Sequence, residues 1–225
     1  MSDRRGWLGT AAVAGLAVFS AACGGPEKTV VDQYFNAVKA KDNQTLSSFA
    51  AVNFDRPVEA WKISGVGPEE EAPAPLPELV AKVKDLEAQA AANKKAAGTY
   101  SLQRYADIEK VKDIRNRNGS VPASLSAVAG QWDEFNQKDR ELRKAIAAAK
   151  DAVEKERRNV RLSVGDVDGV EGLQGKMLSK KVDVDITVKD EKPQAYVMTL
   201  RKYELQREGP RVNARWVVQA IQPKA

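Results

Sequence analysis

The sequence predicts an α+β protein. Three observations carry this: helical periodicity from residue 27 to about 50, two long helical stretches through the middle, and two-residue alternation in the last third. Consecutive strands joined by short turns form an antiparallel meander, whose apolar face needs a covering layer, and the first helices can supply it.

The elements follow in chain order. Residues 1–22 read as an export signal: Ser2-Asp3-Arg4-Arg5, an apolar run from Trp7 to Phe19, then the small residues Ser20, Ala21 and Ala22. That run is well short of the roughly 20 residues a spanning helix needs, and no later stretch is apolar enough, so a polytopic membrane protein is excluded. The segment ends on Cys23, the only cysteine, and this resembles the lipobox of bacterial lipoproteins, whose cysteine takes a thioether-linked diacylglycerol and becomes the new N-terminus. Ser20 departs from the Leu usual three residues before that cysteine, with Phe19 one place earlier. The plainer readings are an unmodified thiol beside an ordinary cleavage site, or a short anchor that is never cut. Each buried methylene adds about 0.8 kcal/mol, and several acyl chains hold where one does not. Gly24 stands where an Asp would resemble the inner-membrane retention signal, so the resemblance implies an exported, palmitate-bearing protein on the outer membrane, facing the periplasm.

Past Cys23, no disulfide framework can form, and packing must supply the stability. With 225 residues, 43% hydrophobic and 6% aromatic, the chain suits one sizeable core plus an extension. The net charge of +5 falls to +4 without Asp3, Arg4 and Arg5, and Lys and Arg are interleaved with Asp and Glu, which excludes the concentrated basic stripe of a nucleic-acid binder.

After the tether Gly24-Gly25-Pro26, residues 27–41 place Val30, Val31, Tyr34, Phe35 and Val38 on one helical face. A second helix starts at Asp42 or Asn43 and ends before Asn53. Residues 58–66 alternate as an edge strand that gives Trp61 and Ile63 a common face. The proline-rich residues 67–77 form a hinge, since proline removes donors and favours extended neighbours. Residues 23–75 are thus the first part of one domain. Residues 76–158 form an inserted antiparallel helical hairpin: Leu79, Val83, Leu86 and Ala90 mark one arm, and Leu125, Val128, Trp132, Phe135, Leu142, Ile146, Ala149 and Val153 keep a coiled-coil rhythm on the other. The turn between them is Asn116 to Ser120, and Gly98 is the expected bend, after which Leu102, Tyr105, Ile108 and Val111 begin a new apolar series. Residues 159–225 complete the sheet: Val160, Leu162 and Val164; then Val182, Val184, Ile186 and Val188; then Tyr196, Met198 and Leu200; and last Trp216, Val218 and Ala220.

The helix Thr29-Val-Val-Asp-Gln-Tyr-Phe-Asn-Ala-Val-Lys-Ala-Lys-Asp42, the short helix through Leu46 and Phe49, and the closing Arg215-Trp216-Val217-Val218 resemble the bacterial NTF2-like (cystatin-like) lipoproteins. The resemblance covers residues 27–66 and 159–222 and implies a cone of curved antiparallel sheet over the helices, lined by Tyr34, Phe35, Tyr196, Met198 and Trp216. The hairpin departs from that family's compact members.

The sequence has no histidine, which removes the commonest general base and metal ligand together with any Ser-His-Asp or Cys-His arrangement. No phosphate-binding loop or dinucleotide fingerprint occurs. Asp166, Asp168 and Glu171 lack the spacing of a calcium loop. Asp183 and Asp185 alternate onto the wet face, away from any cone of the ketosteroid-isomerase kind that the resemblance brings to mind. No catalytic, cofactor-binding or metal residue is assigned, and no cofactor is expected. The expected function is a non-enzymatic, membrane-anchored envelope protein that meets an envelope protein or a second copy of itself through residues 76–158. The alternative is a small apolar or lipid-like ligand held in the cone.

Overall fold

The computed structural model describes residues 25–206 and 214–224. The export signal and Cys23 lie outside the described residues. Helix α1 (Pro26–Ala40) opens on proline, whose fixed φ suits the first helical position, and carries Glu27 in its first turn. It closes on Lys41 in the left-handed region (φ 56°), where the Asp42 N–H reaches the Ala37 carbonyl at 2.9 Å. The Asp42 carboxylate then caps α2 (Asn43–Phe49) by accepting from the Thr45 N–H at 2.9 Å.

Strands β1 (Val58–Val66) and β2 (Glu70–Pro73) precede helices α3 (Leu76–Gln103), α4 (Tyr105–Asn116) and α5 (Ala123–Val164). Strands β3 (Gly175–Val188), β4 (Gln194–Leu205) and β5 (Val217–Pro223) follow. The sheet is antiparallel with order β1-β3-β4-β5, and β2 joins β3 beyond β1. Val58 to Val66 pair with Val188 to Val182, and Glu70 to Pro73 with Ser179 to Lys176, so two short strands share one edge of the longest one.

The NTF2-like cone is overturned by this sheet, which is open and neither curved nor closed. The α+β class and the edge position of β1 stand; the cone and the family resemblance do not. The physical reason lies in what covers the dry face. Val31, Tyr34 and Phe35 of α1 and Leu46 and Phe49 of α2 pack directly on Val182, Val184, Ile186, Met198, Leu200 and Val218. Phe35 stacks on Trp61 with ring centroids 5.4 Å apart and meets Tyr34 edge-on at 5.2 Å. The helices fill the face that a cone would have left hollow.

Two further expectations are corrected. Residues 159–164 are the last turns of α5, not a strand. Their apolar residues alternate, but burial falls on Glu156, Asn159, Val160, Ser163 and Val164, a helical spacing whose polar members cannot be recognised as buried from sequence. The proline-rich hinge holds the edge strand β2, which tolerates Pro73 because the proline sits at the strand's end and at the sheet's edge.

A second core joins the helices to the sheet: Leu76 of α3, Val153, Val160 and Val164 of α5, Val170 and Tyr203. The helical arm is therefore rooted in the sheet by packing on both of its strokes. Beyond the root, α3 and α4 run along α5, whose 42 residues span about 63 Å at 1.5 Å per residue. Val128, Leu142, Ala149 and Val153 of α5 are buried, and Leu125, Trp132, Phe135 and Ile146 half-buried. Gly98 stays inside α3; the break falls at Arg104, and of the apolar series that follows Gly98 only Ile108 and Val111 are buried.

Candidate functional site

The five residues expected to line a cone are core residues instead. Tyr34, Phe35 and Met198 are fully buried, Tyr196 is 6% exposed, and Trp216 is half-buried just before β5. The Tyr34 hydroxyl donates to the Val52 carbonyl at 3.2 Å, and burial followed by the Asp55 charge pushes it well above the ordinary tyrosine range. The Tyr196 hydroxyl donates to Gln194 at 3.2 Å and accepts from Arg56 at 3.1 Å. Both hydroxyls are engaged by protein partners.

Buried polar groups concentrate where α5 meets β4. The Tyr203 hydroxyl donates to Glu156 at 2.7 Å, and the Asn159 amide donates to the other carboxylate oxygen at 3.2 Å. The Arg201 guanidinium stands 3.6 Å from that same oxygen. Ser163 accepts from the Tyr203 N–H at 3.1 Å and donates to the Arg215 carbonyl at 2.8 Å. Burial, then the Glu156 charge, raises the Tyr203 hydroxyl far above its usual range, so it remains a donor. Glu156, Tyr203, Asn159 and Ser163 pair with one another and with backbone, while the buried Arg201 Nε has no hydrogen-bond partner among the described residues, and the knot clamps the arm to the sheet. At the opposite side of the sheet the Glu27 carboxylate pairs with Lys180, which also contacts Glu69 at 3.2 Å. Burial opposes the charge on Glu27, but the Lys180 ammonium outweighs it and holds the carboxyl below the ordinary range.

A concavity of about 1050 Å³ lies between β2, β3 and the end of β4. Both of its lysines are paired, Lys176 with Glu71 at 2.9 Å and Lys202 with Glu204 at 3.0 Å, and Glu78 adds a further carboxylate to the lining. Asp166 and Glu171 do not converge; Asp166 is almost wholly exposed and Glu171 pairs with Arg157 at 2.7 Å. No group of three or more His, Cys, Asp or Glu suited to a metal occurs among the described residues.

The arm presents a different feature. Leu102 is 83% exposed and Tyr105 64% exposed, on either side of the α3–α4 break, with Arg104 between them. Just inside, Tyr100 packs on Phe135 with centroids 5.6 Å apart, and the buried Asn93 amide donates to the Phe135 carbonyl at 3.1 Å. The sequence groups Leu102 and Tyr105 with Ile108 and Val111 in one apolar series. Leu102 lies two residues past Tyr100, off the α3 face that Asn93, Ala97 and Tyr100 turn inward, and Tyr105 opens α4 just after the break at Arg104, one turn before the buried Ile108. No family, no curated protein and no solved structure matches this chain, and among the described residues no helix is long and apolar enough to cross a membrane.

Proposed function

We propose that this chain is a non-enzymatic envelope protein, exported and held at a membrane, the outer membrane on its periplasmic side, by lipid on Cys23, and that its helical arm docks another envelope protein at the α3–α4 break. The observation that carries the docking reading is the exposure of Leu102 and Tyr105 on an arm whose other large apolar residues are turned into its own seam. Tyrosine and arginine are over-represented among the residues that dominate binding energy, and Arg104 and Tyr105 are adjacent here. The non-enzymatic reading is supported by the burial of Glu156, Tyr203, Asn159 and Ser163 between α5 and β4, where they hydrogen-bond to one another and to backbone. The anchor is supported by the sequence around Cys23.

The test is a photocrosslinking residue placed at position 102 or 105 in cells, with position 95 on the same arm as control. A discrete adduct at 102 and 105 and none at 95 is expected. An adduct with a second copy of the chain makes the arm a self-association element instead. No adduct at either position, together with a monomer by light scattering, ends the docking reading. Intact mass of the membrane-extracted protein tests the anchor separately: a bare Cys23 refutes it.

A further inference from the structure

We propose that the end of the fold from which the N-terminal tether leaves is itself a membrane-binding face, on which Arg158, Arg161 and Arg215 take the headgroup phosphates of anionic phospholipids while an adjoining apolar groove meets the interface. Two concavities, each of about 360 Å³, lie side by side there. They are contiguous because the pairs Ser48-Phe49 and Arg215-Trp216 contribute to both, Ser48 to the first and Phe49 and Trp216 to the second, with Arg215 shared.

The first concavity carries Arg157, Arg158, Arg161 and Arg215 against Glu154 and Asp166. Arg157 is neutralised by Glu154 and Glu171. Arg158 is exposed and, among the described residues, pairs with no carboxylate. Arg161 is about half exposed and only grazes Asp166 at 3.8 Å. Arg215 is pinned by neutral groups, donating from Nε to the Leu162 carbonyl at 2.8 Å and from Nη2 to the Ser48 carbonyl at 2.6 Å, so its charge is held in a fixed place with no carboxylate paired to it among the described residues. The plainer role of Arg161 and Arg215, countering the C-terminal dipoles of α5 and α2, accounts for two of the three cations but not for Arg158.

The second concavity is walled by Pro26, Val30 and Trp216 over Phe49. Tryptophan beside cations is the pairing that favours a bilayer interface, where the ring sits at headgroup depth and arginine meets phosphate. The occupant is set by where the chain leads: Pro26 is in the groove wall, and Cys23 is three residues before it, a reach of at most about 11 Å. A lipid on Cys23 therefore draws this face, and no other end of the fold, against the bilayer. The inference shares the membrane premise of the proposed function, but its test does not use Cys23.

Every residue of both cores lies between Val30 and Ile221, so a protein of residues 24–225 retains the fold. It is floated with vesicles of phosphatidylcholine alone and with vesicles in which phosphatidylglycerol replaces a third of it. Binding to the anionic vesicles that weakens with salt, and little to the neutral ones, is expected. Each arginine near such a surface contributes about fivefold, so Arg158→Gln with Arg161→Gln lowers partitioning about thirtyfold while the protein still melts cooperatively, a few degrees lower at most for the lost Arg161 charge at the end of α5. Equal binding to both vesicle types, no binding, or an undiminished double variant overturns the proposal. So does calorimetric binding of inorganic phosphate with no vesicle binding, which makes the arginines a soluble-anion site. A negative flotation leaves the Cys23 tether standing, and a bare Cys23 leaves the flotation result standing.

Discussion

Tyr203→Phe isolates the clamp between arm and sheet. The ring is fully buried in the second core and is retained by phenylalanine, so the change removes one hydroxyl and leaves the packing volume almost intact. That hydroxyl is the donor to one oxygen of Glu156, a carboxylate only 6% exposed, while the other oxygen keeps the Asn159 amide and the Arg201 guanidinium. A hydrogen bond to a charged group contributes about 1.5–3 kcal/mol, and the abandoned oxygen has little water to turn to. The expected loss is about 2 kcal/mol, or about 4–8 °C in melting temperature for a domain of this size. Urea unfolding at neutral pH measures it as a lower midpoint at constant slope. In the Glu156→Gln background the same substitution should cost about 1 kcal/mol or less, because the charge that strengthened the bond is gone. A loss below about 0.5 kcal/mol in the wild-type background, or full additivity with Glu156→Gln, would refute the buried, charge-assisted clamp.

Three other outcomes follow from the same coordinates. Asn93→Asp sets a carboxylate against the Phe135 carbonyl inside the arm seam; it should cost more than about 2 kcal/mol at neutral pH and recover as pH falls through the raised carboxyl value, read by urea unfolding at two pH values. The Glu27–Lys180 pair gives stability that is complete above the ordinary Glu value of 4.5 and is lost as pH falls through the lower folded value; Lys180, held above its ordinary 10.5 by Glu27, contributes below that value and loses its contribution as pH rises through the folded one. Lys180→Met leaves Glu27 with burial, which raises it, against one backbone hydrogen bond, so its share of the acid limb should vanish or change sign and the limb should become shallower in urea unfolding across pH. Gly175→Ala should destabilise by about 3 kcal/mol, since φ 156° is strained for any side chain and a Cβ there meets the Glu204 carbonyl and the Leu205 Cα; circular-dichroism melting checks it.

Where burial follows apolar periodicity, the sequence is a good guide. The α1 face of Val31, Tyr34 and Phe35, the Asp42 cap, the alternation of Val182, Val184, Ile186 and Val188 and the seam from Val128 to Val153 all lie in the structure where their spacing puts them. It misleads where a polar residue is buried or a helix breaks. Val160, Leu162 and Val164 alternate like a strand, yet Glu156, Asn159 and Ser163 are the residues that turn inward, held by Tyr203 and the Arg215 carbonyl from far along the chain. Sheet closure is likewise invisible locally: each strand of an open sheet alternates as a strand of a cone does. The candidate surfaces were the least legible part, because Leu102, Tyr105, Ile108 and Val111 keep one spacing across the break at Arg104, whereas the inward face of α3 runs through Asn93, Ala97 and Tyr100 and that of α4 through Ile108 and Val111.

The two proposed surfaces sit at opposite reaches of one rigid element, and this relation can be measured. Arg158 and Arg161 are near the C-terminal end of α5, whereas Phe135, against which Tyr100 packs beside the α3–α4 break, lies 26 residues before Arg161 on the same helix. At 1.5 Å per residue that is about 39 Å along the axis. The clamp of Glu156 and Tyr203 lies between them and fixes the helix to the sheet, so the distance from the arginine face to the docking point is set by a helix and not by a flexible linker. Fluorescent labels at positions 102 and 158 in the protein of residues 24–225 should therefore report one narrow distance distribution, unchanged when anionic vesicles are added. Tyr203→Phe should leave that distance in place while lowering stability, since the seam from Val128 to Val153 persists. A broad distribution in the wild type would show that the arm flexes about its root, and the clamp would then be a stabilising contact without the positioning role argued for it.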